Sequence, residues 1–100
     1  MNKDDLPAIS AFRAPILRFS KDEKEHSLKE IREEMCKIFN LTEKHCNLLT
    51  PNGKTTRINV RTQEAIKYLV QTKLLSRPRK DHLKITDTGK EILKILDSFP

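Results

Sequence analysis

Apolar positions recur every three or four residues along most of this chain, the period of helices that bury one face. In the first such stretch, about Pro7 to Phe19, the stripe is Ile9, Phe12, Ile16 and Leu17, and Pro15 predicts a kink or break near Ala14. The charged run Ser20 to Glu25 reads as a loop. Ser27-Leu28-Lys29-Glu30 has the form of a capping box, the serine hydroxyl accepting a backbone N–H while the glutamate reaches back to the cap. It opens a second helix with Leu28, Ile31, Met35, Ile38 and Phe39 inward, and Lys29, Glu33, Glu34 and Lys37 outward, ending near Asn40. Thr42 is placed to cap a short third helix through Leu48 and Leu49, which the turn Thr50-Pro51-Asn52-Gly53 stops.

Lys54 to Arg57 lead into a fourth helix that runs to about Thr72, with Ile58, Ala65, Ile66 and Leu69 buried and the opposite side polar and basic. The period then shortens. Leu74 to Ser76 and His82 to Ile85 read as two short strands joined by the turn Arg77-Pro78-Arg79-Lys80-Asp81, a hairpin with a basic tip. Thr86-Asp87-Thr88-Gly89 leads into a closing helix from Lys90 to about Asp97, packing through Ile92, Leu93, Ile95 and Leu96. The expected fold is mainly α with a small β-hairpin, in the order of a winged helix-turn-helix: a tail at 1–8, one domain over 9–97, and a C-terminal end at 98–100. In such a fold a helix carrying basic and amide side chains fits the major groove while the hairpin touches flanking backbone.

Charge sharpens that expectation. The hundred residues carry a net +6, but residues 1–50 hold nine basic and nine acidic residues, whereas residues 51–90 hold ten basic and three acidic. The excess therefore coincides with the fourth helix and the hairpin, and suits a polyanion whose counterions are released on binding. No apolar run approaches the roughly 18 residues that span a bilayer, so no membrane partner is expected. Cys36 and Cys46, ten residues apart, make no disulfide framework of the secreted kind, which points to a reducing, cytoplasmic compartment with Cys36 filling core space. His26, His45 and His82 match no zinc spacing with these cysteines, and with only Gly53 and Gly89 no phosphate-cradling loop can form, so neither metal nor cofactor is expected.

Four blocks also carry a family likeness: Glu25-His26-Ser27-Leu28-Lys29-Glu30-Ile31, Leu49 to Lys54, Tyr68-Leu69 with Leu74 to Pro78, and Leu83 to Thr86 with Gly89. Together, over roughly residues 10–96, they resemble the N-terminal domain of Mrr restriction proteins. The resemblance implies a winged-helix module that precedes a nuclease domain of the PD-(D/E)xK type, which cuts modified foreign DNA. Such a nuclease needs a sheet and helices of its own, for which no residues follow the hairpin and closing helix. Asp22-Glu23-Lys24 matches a fragment of its motif only trivially, in a charged loop. At the hairpin turn, Asp81 stands where the family commonly has glycine.

Candidate DNA contacts follow from chemistry and position. Arg57 and Arg61 lie four apart on one helix face, and the resemblance also places an arginine at Arg61; guanidinium can hold guanine or phosphate in two-pronged fashion. Asn59 and Gln63 can read adenine edges. Thr56, with Thr55, precedes the helix and can cap it or touch phosphate, while Lys54 and Lys67 suit backbone contact. Arg77, Arg79 and Lys80 form the hairpin tip, stiffened by Pro78. Tyr68, beside Leu69, is read as a packing residue. No acid, base and nucleophile assemble into a catalytic set. The expectation is thus a non-catalytic module for duplex DNA, the nuclease domain being its partner in the full-length protein. Two other readings stay open: a protein-interaction or dimerisation winged helix, with self-association as its partner, and an autonomous transcription regulator.

Overall fold

A computed structural model describes residues 6–98. The chain begins with a 3-10 turn, Ile9–Phe12, that tightens directly into α1, Arg13–Phe19. Pro15 sits in the first turn of α1, where its missing N–H costs no helical hydrogen bond, so the expected break is a change of helix type rather than a kink. Leu6 is buried in the core, so packing reaches back into the segment read as a tail; residues 1–5 lie outside the described residues, as do 99 and 100. The expected loop after Phe19 contains a second 3-10 turn, Ser20–Asp22, closed by Glu23 in the left-handed region (φ 65°).

β1, His26–Ser27, was not expected; two residues are too few to show a period. Ser27 also begins α2, Leu28–Ile38, through the expected capping box: Glu30 N–H donates to Ser27 Oγ at 3.1 Å and Ser27 N–H to Glu30 Oε1 at 3.2 Å. The helix buries Ile31 and Met35, and leaves Ile38 about half exposed. α3 is the single turn Glu43–Cys46, capped by Thr42 as expected. It stops short of Leu48 and Leu49 because Leu49 instead forms an antiparallel bridge with Thr56 across the turn. Cys36 packs against the core, but it is not a free thiol. It forms a disulfide with Cys46, the two Cα atoms 6.0 Å apart, because the reversal after α2 brings α3 back alongside it.

α4, Arg57–Gln71, is the longest element and buries Ile58, Thr62, Ala65, Ile66 and Leu69. β2, Leu75–Arg79, and β3, His82–Ile85, complete a three-stranded antiparallel sheet in the order β1-β3-β2. The connecting turn is Lys80-Asp81 alone, not five residues. β2 continues through Arg79, which pairs with His82, and a register irregularity between Ser76 and Arg79 accommodates Pro78 on this edge strand. Asp81 takes the left-handed conformation (φ 58°) that glycine would adopt, which aspartate tolerates. α5, Asp87–Asp97, begins three residues earlier than expected, with Thr86 Oγ1 accepting from Gly89 N–H at 2.9 Å; of its expected packing stripe Leu93 is buried and Ile92 half-buried, whereas Ile95 and Leu96 are exposed. The result is a mainly helical domain with a small antiparallel sheet, compatible with a winged helix.

Leu75, Leu83 and Ile85 pack the sheet into the helical core, and a buried histidine adds a polar link between them. His26 is 7% exposed; its Nε2 lies 2.8 Å from Asp22 Oδ1, its Nδ1 3.1 Å from Glu30 Oε2, and its ring rests 4.4 Å from that of Phe19. Burial alone would lower its pKa, but the two carboxylates outweigh burial and hold it above the ordinary 6.5. Asp22, which burial would raise, is held low by hydrogen bonds from Lys24 N–H and His26, and Glu30 is lowered chiefly by its hydrogen bond with His26.

Two predictions follow from this packing. Gly89 is helical yet sits against β2's approach: an added Cβ would overlap the Leu74 carbonyl oxygen and crowd Ile85 Cγ1. Gly89→Ala should therefore cost about 1–3 kcal/mol, seen as a lower urea midpoint at unchanged slope. His26's stabilisation is complete below its ordinary pKa and is lost as pH rises through the raised folded value. That of Asp22 and Glu30 is present above their ordinary values and lost as pH falls through the lowered ones. Stability from this cluster should peak between about pH 4.5 and 6.5. In thermal unfolding, the wild type should lose more between about pH 6 and 8.5 than His26→Gln does.

Candidate nucleic-acid interface

Burial of the apolar stripe of α4 decides which of its side chains face outward: Val60, Gln63, Glu64, Lys67 and Gln71 are exposed. Gln63 and Lys67 of the expected site lie on this stripe. Thr56 is the N-cap, its Oγ1 accepting from Asn59 N–H at 3.1 Å. Lys54 lies in the exposed turn before it, where its N–H donates to Asn52 Oδ1 at 3.0 Å.

The other three α4 residues of the expected site are turned to its flanks. Arg57 Nε donates to the Leu49 carbonyl at 3.0 Å, holding the turn against the helix, and Arg61 Nη1 donates to the Pro7 carbonyl at 3.3 Å, holding the N-terminal segment. The two arginines do share a side of α4, yet each fastens a different neighbouring segment. Asn59 faces α2, with Nδ2 donating to Thr55 Oγ1 at 2.7 Å and Oδ1 accepting from Arg32 Nη1 at 3.2 Å.

On the hairpin, Arg77, Arg79 and Lys80 are all exposed, but only Lys80 belongs to the turn; the arginines project from β2. Arg79 Nε donates to Glu25 Oε1 at 2.9 Å, an ion pair exposed on both sides and therefore weak enough to exchange for another anion. The Asp81 carbonyl accepts from Leu28 N–H at 2.9 Å, which seats the turn on the start of α2. Tyr68 is 40% exposed rather than packed inward, and the Arg13 guanidinium stacks over its ring at 3.7 Å.

α2 supplies residues that the sequence reading left as an outer face. An open cleft of about 740 Å³ separates Arg32, Glu33 and Lys37 of α2 from Asn47, Lys54, Thr55 and Thr56. A smaller one, about 260 Å³, lies between Lys29 and Arg32 of α2 and the hairpin residues Asp81 and His82. Arg32 lines both. Lys29, Arg32 and Lys37 thus stand between Lys54, before α4, and the hairpin residues Asp81 and His82. Charge counting could not find them, because the first fifty residues net zero. The 3.6 period alone places Lys29 and Lys37 outward, without saying what they face.

Among the described residues no cluster of His, Cys, Asp and Glu could hold a metal ion, and no helix is long and apolar enough to cross a membrane. No curated protein and no solved structure matches the chain. The family described as "Mrr N-terminal domain" matches residues 10–95, which include both clefts, α4 and the whole hairpin. The chain therefore belongs to the Mrr N-terminal domain family, the family of an N-terminal domain of Mrr-type restriction proteins.

Proposed function

We propose that this domain is the duplex-DNA recognition module of a Mrr-type, modification-dependent restriction system, working in the cytoplasm and non-catalytic by itself. In this reading a nuclease domain in the same protein cuts what the module binds. The observation that carries it is the coincidence of the +7 segment, residues 51–90, with two exposed features, the outward stripe of α4 and the β2–β3 hairpin, with Arg32 of α2 lining both the cleft at the start of α4 and the cleft beside the hairpin turn.

α4 would lie in the major groove as the recognition helix of a winged helix, with Gln63 reaching base edges and Lys67 a phosphate. Exposed Val60 offers an apolar contact of the kind a pyrimidine methyl takes. Asn59 would read a base only by exchanging its bonds to Arg32 and Thr55. Otherwise it holds Arg32 beside the backbone. Lys54 and Thr56 would meet phosphate at the helix start. Arg57 and Arg61 would add charge at the flank, since five N–H donors let a guanidinium keep a carbonyl and still meet an anion. Arg77, Arg79 and Lys80 would follow the adjacent backbone, Arg79 trading Glu25 for phosphate.

A second reading has its own observation. Ile95 is 53% exposed and Leu96 39%, beside a groove of about 180 Å³ lined by Arg13, Leu17, Tyr68, Ile92 and Leu96. Such a surface suits contact with protein, whether self-association or docking of another domain. It is compatible with DNA binding on α4 and the hairpin.

Arg57 and Arg61 hold flanking segments, so exposed cations are the better test. Duplex affinity of the wild type should fall about a thousandfold between roughly 50 and 200 mM salt if some six phosphates are met. Lys67→Glu, Arg77→Glu and Lys80→Glu should each weaken binding and lower the salt slope by about one, with the oligomeric state unchanged. Anisotropy with methylated and unmethylated duplexes separates base reading from phosphate contact. Absence of salt-sensitive duplex binding at about 50 mM salt would sink this reading.

A further inference from the structure

α3 is held to the domain in an unusual way. Its four residues bury no side chain, and Thr42 only caps it locally, with His45 N–H and Nδ1 lying 3.2 and 2.7 Å from Thr42 Oγ1. Apolar packing therefore does little to fasten this turn to α2. The Cys36–Cys46 disulfide does it covalently; beside it Leu41, at the start of the segment, rests on the core and donates its N–H to the Cys36 carbonyl at 3.0 Å. Both cysteines are half-buried and line the large cleft, where a small thiol can reach them.

The segment after Cys46 is the other wall of that cleft. It runs from Asn47 through the bridge of Leu49 with Thr56 to Lys54 and the cap of α4. Across from it stand Arg32 and Lys37, and the Arg32–Asn59–Thr55 hydrogen bonds span the gap. The α4 end of this wall is fixed by the Leu49–Thr56 bridge and by Arg57 on the Leu49 carbonyl, and the disulfide fastens its α3 end to α2.

We propose that Cys36–Cys46 is a reversible redox-modification site that sets the affinity of the domain for duplex DNA, closed and tight when oxidised, open and weak when reduced. The proposal rests on the DNA-binding reading above. The ligand class is a low-molecular-weight thiol and its disulfide. In reduction, a thiolate attacks one sulfur and the other leaves as a thiolate; a second small thiolate then attacks the mixed disulfide. Two protein thiols and one small disulfide result, two electrons and two protons passing from the small thiols to the protein. Oxidation by a small disulfide is the reverse. In a reducing compartment a disulfide of this kind serves as a sensor rather than as a permanent staple.

The test compares the purified protein equilibrated in oxidised or reduced glutathione, its thiols counted by alkylation and mass. Duplex affinity is read by anisotropy, and backbone opening by amide hydrogen exchange over residues 42–56. Oxidised protein should bind roughly tenfold tighter and exchange roughly tenfold to a hundredfold more slowly in that segment, since the crosslink removes local open states. Cys46→Ser, at a half-buried position in α3, should behave as the reduced protein in both buffers. Two alkylatable thiols in oxidised glutathione overturn the proposal, as do equal affinities with equal exchange, or a redox response that persists in Cys46→Ser. If neither form binds duplex, the DNA-binding reading fails by itself. Exchange then still decides whether the disulfide governs the cleft: equal rates in the two buffers would overturn that as well.

Discussion

Burial of one stripe of α4 is the constraint on which the rest of the structure depends. Ile58, Thr62, Ala65, Ile66 and Leu69 face inward and meet the N-terminal 3-10 turn, α1, α2 and β2. A chain of this size has one modest core, and removing those side chains from water is its main source of stability. Because a helix is rigid, fixing its inner face also fixes its outer one. Gln63 and Lys67 are directed into solvent by the same contacts that hold Ile66 and Leu69 inside. The candidate interface is thus a consequence of core packing, with no separate device needed to orient it.

The hairpin depends on a smaller feature. β1 contributes only His26 and Ser27, yet these two residues pair with β3, begin α2 and supply the histidine that two carboxylates grip. Leu28 N–H reaches the Asp81 carbonyl in the same place, so the hairpin turn is anchored at its tip as well as its root. A charged turn that would otherwise wave in solvent is held at a defined position relative to α2. The small cleft between Lys29 and Arg32 of α2 and the hairpin's Asp81 and His82 follows from that anchoring.

Much of the local structure was legible in the sequence. The capping box at Ser27, the caps at Thr42 and Thr56, and the apolar stripes of α2 and α4 all depend on residues at most four apart, so spacing alone reveals them. The family likeness was legible for a similar reason, as several short blocks in fixed order. What escaped depends on pairing across long separations. β1 has no period to read and exists because β3 lies beside it. The short turn at Lys80-Asp81 exists because β2 tolerates Pro78 at an irregularity on an edge. The disulfide exists because α2 and α3 fold back on one another, a relation that a ten-residue spacing does not state.

The site divides the same way. Which residue types would serve, where the positive charge concentrates and which helix presents it were determined by the sequence, because composition and helical period are local properties. Only the tertiary structure decided that Arg57, Arg61 and Asn59 are turned to fasten flanking segments. It also decided that Arg32, from a half of the chain with no net charge, stands between the two basic elements. The physical reason is that side-chain partners are chosen by proximity in space, and a hydrogen bond between residues 27 apart leaves no mark on the pattern of either.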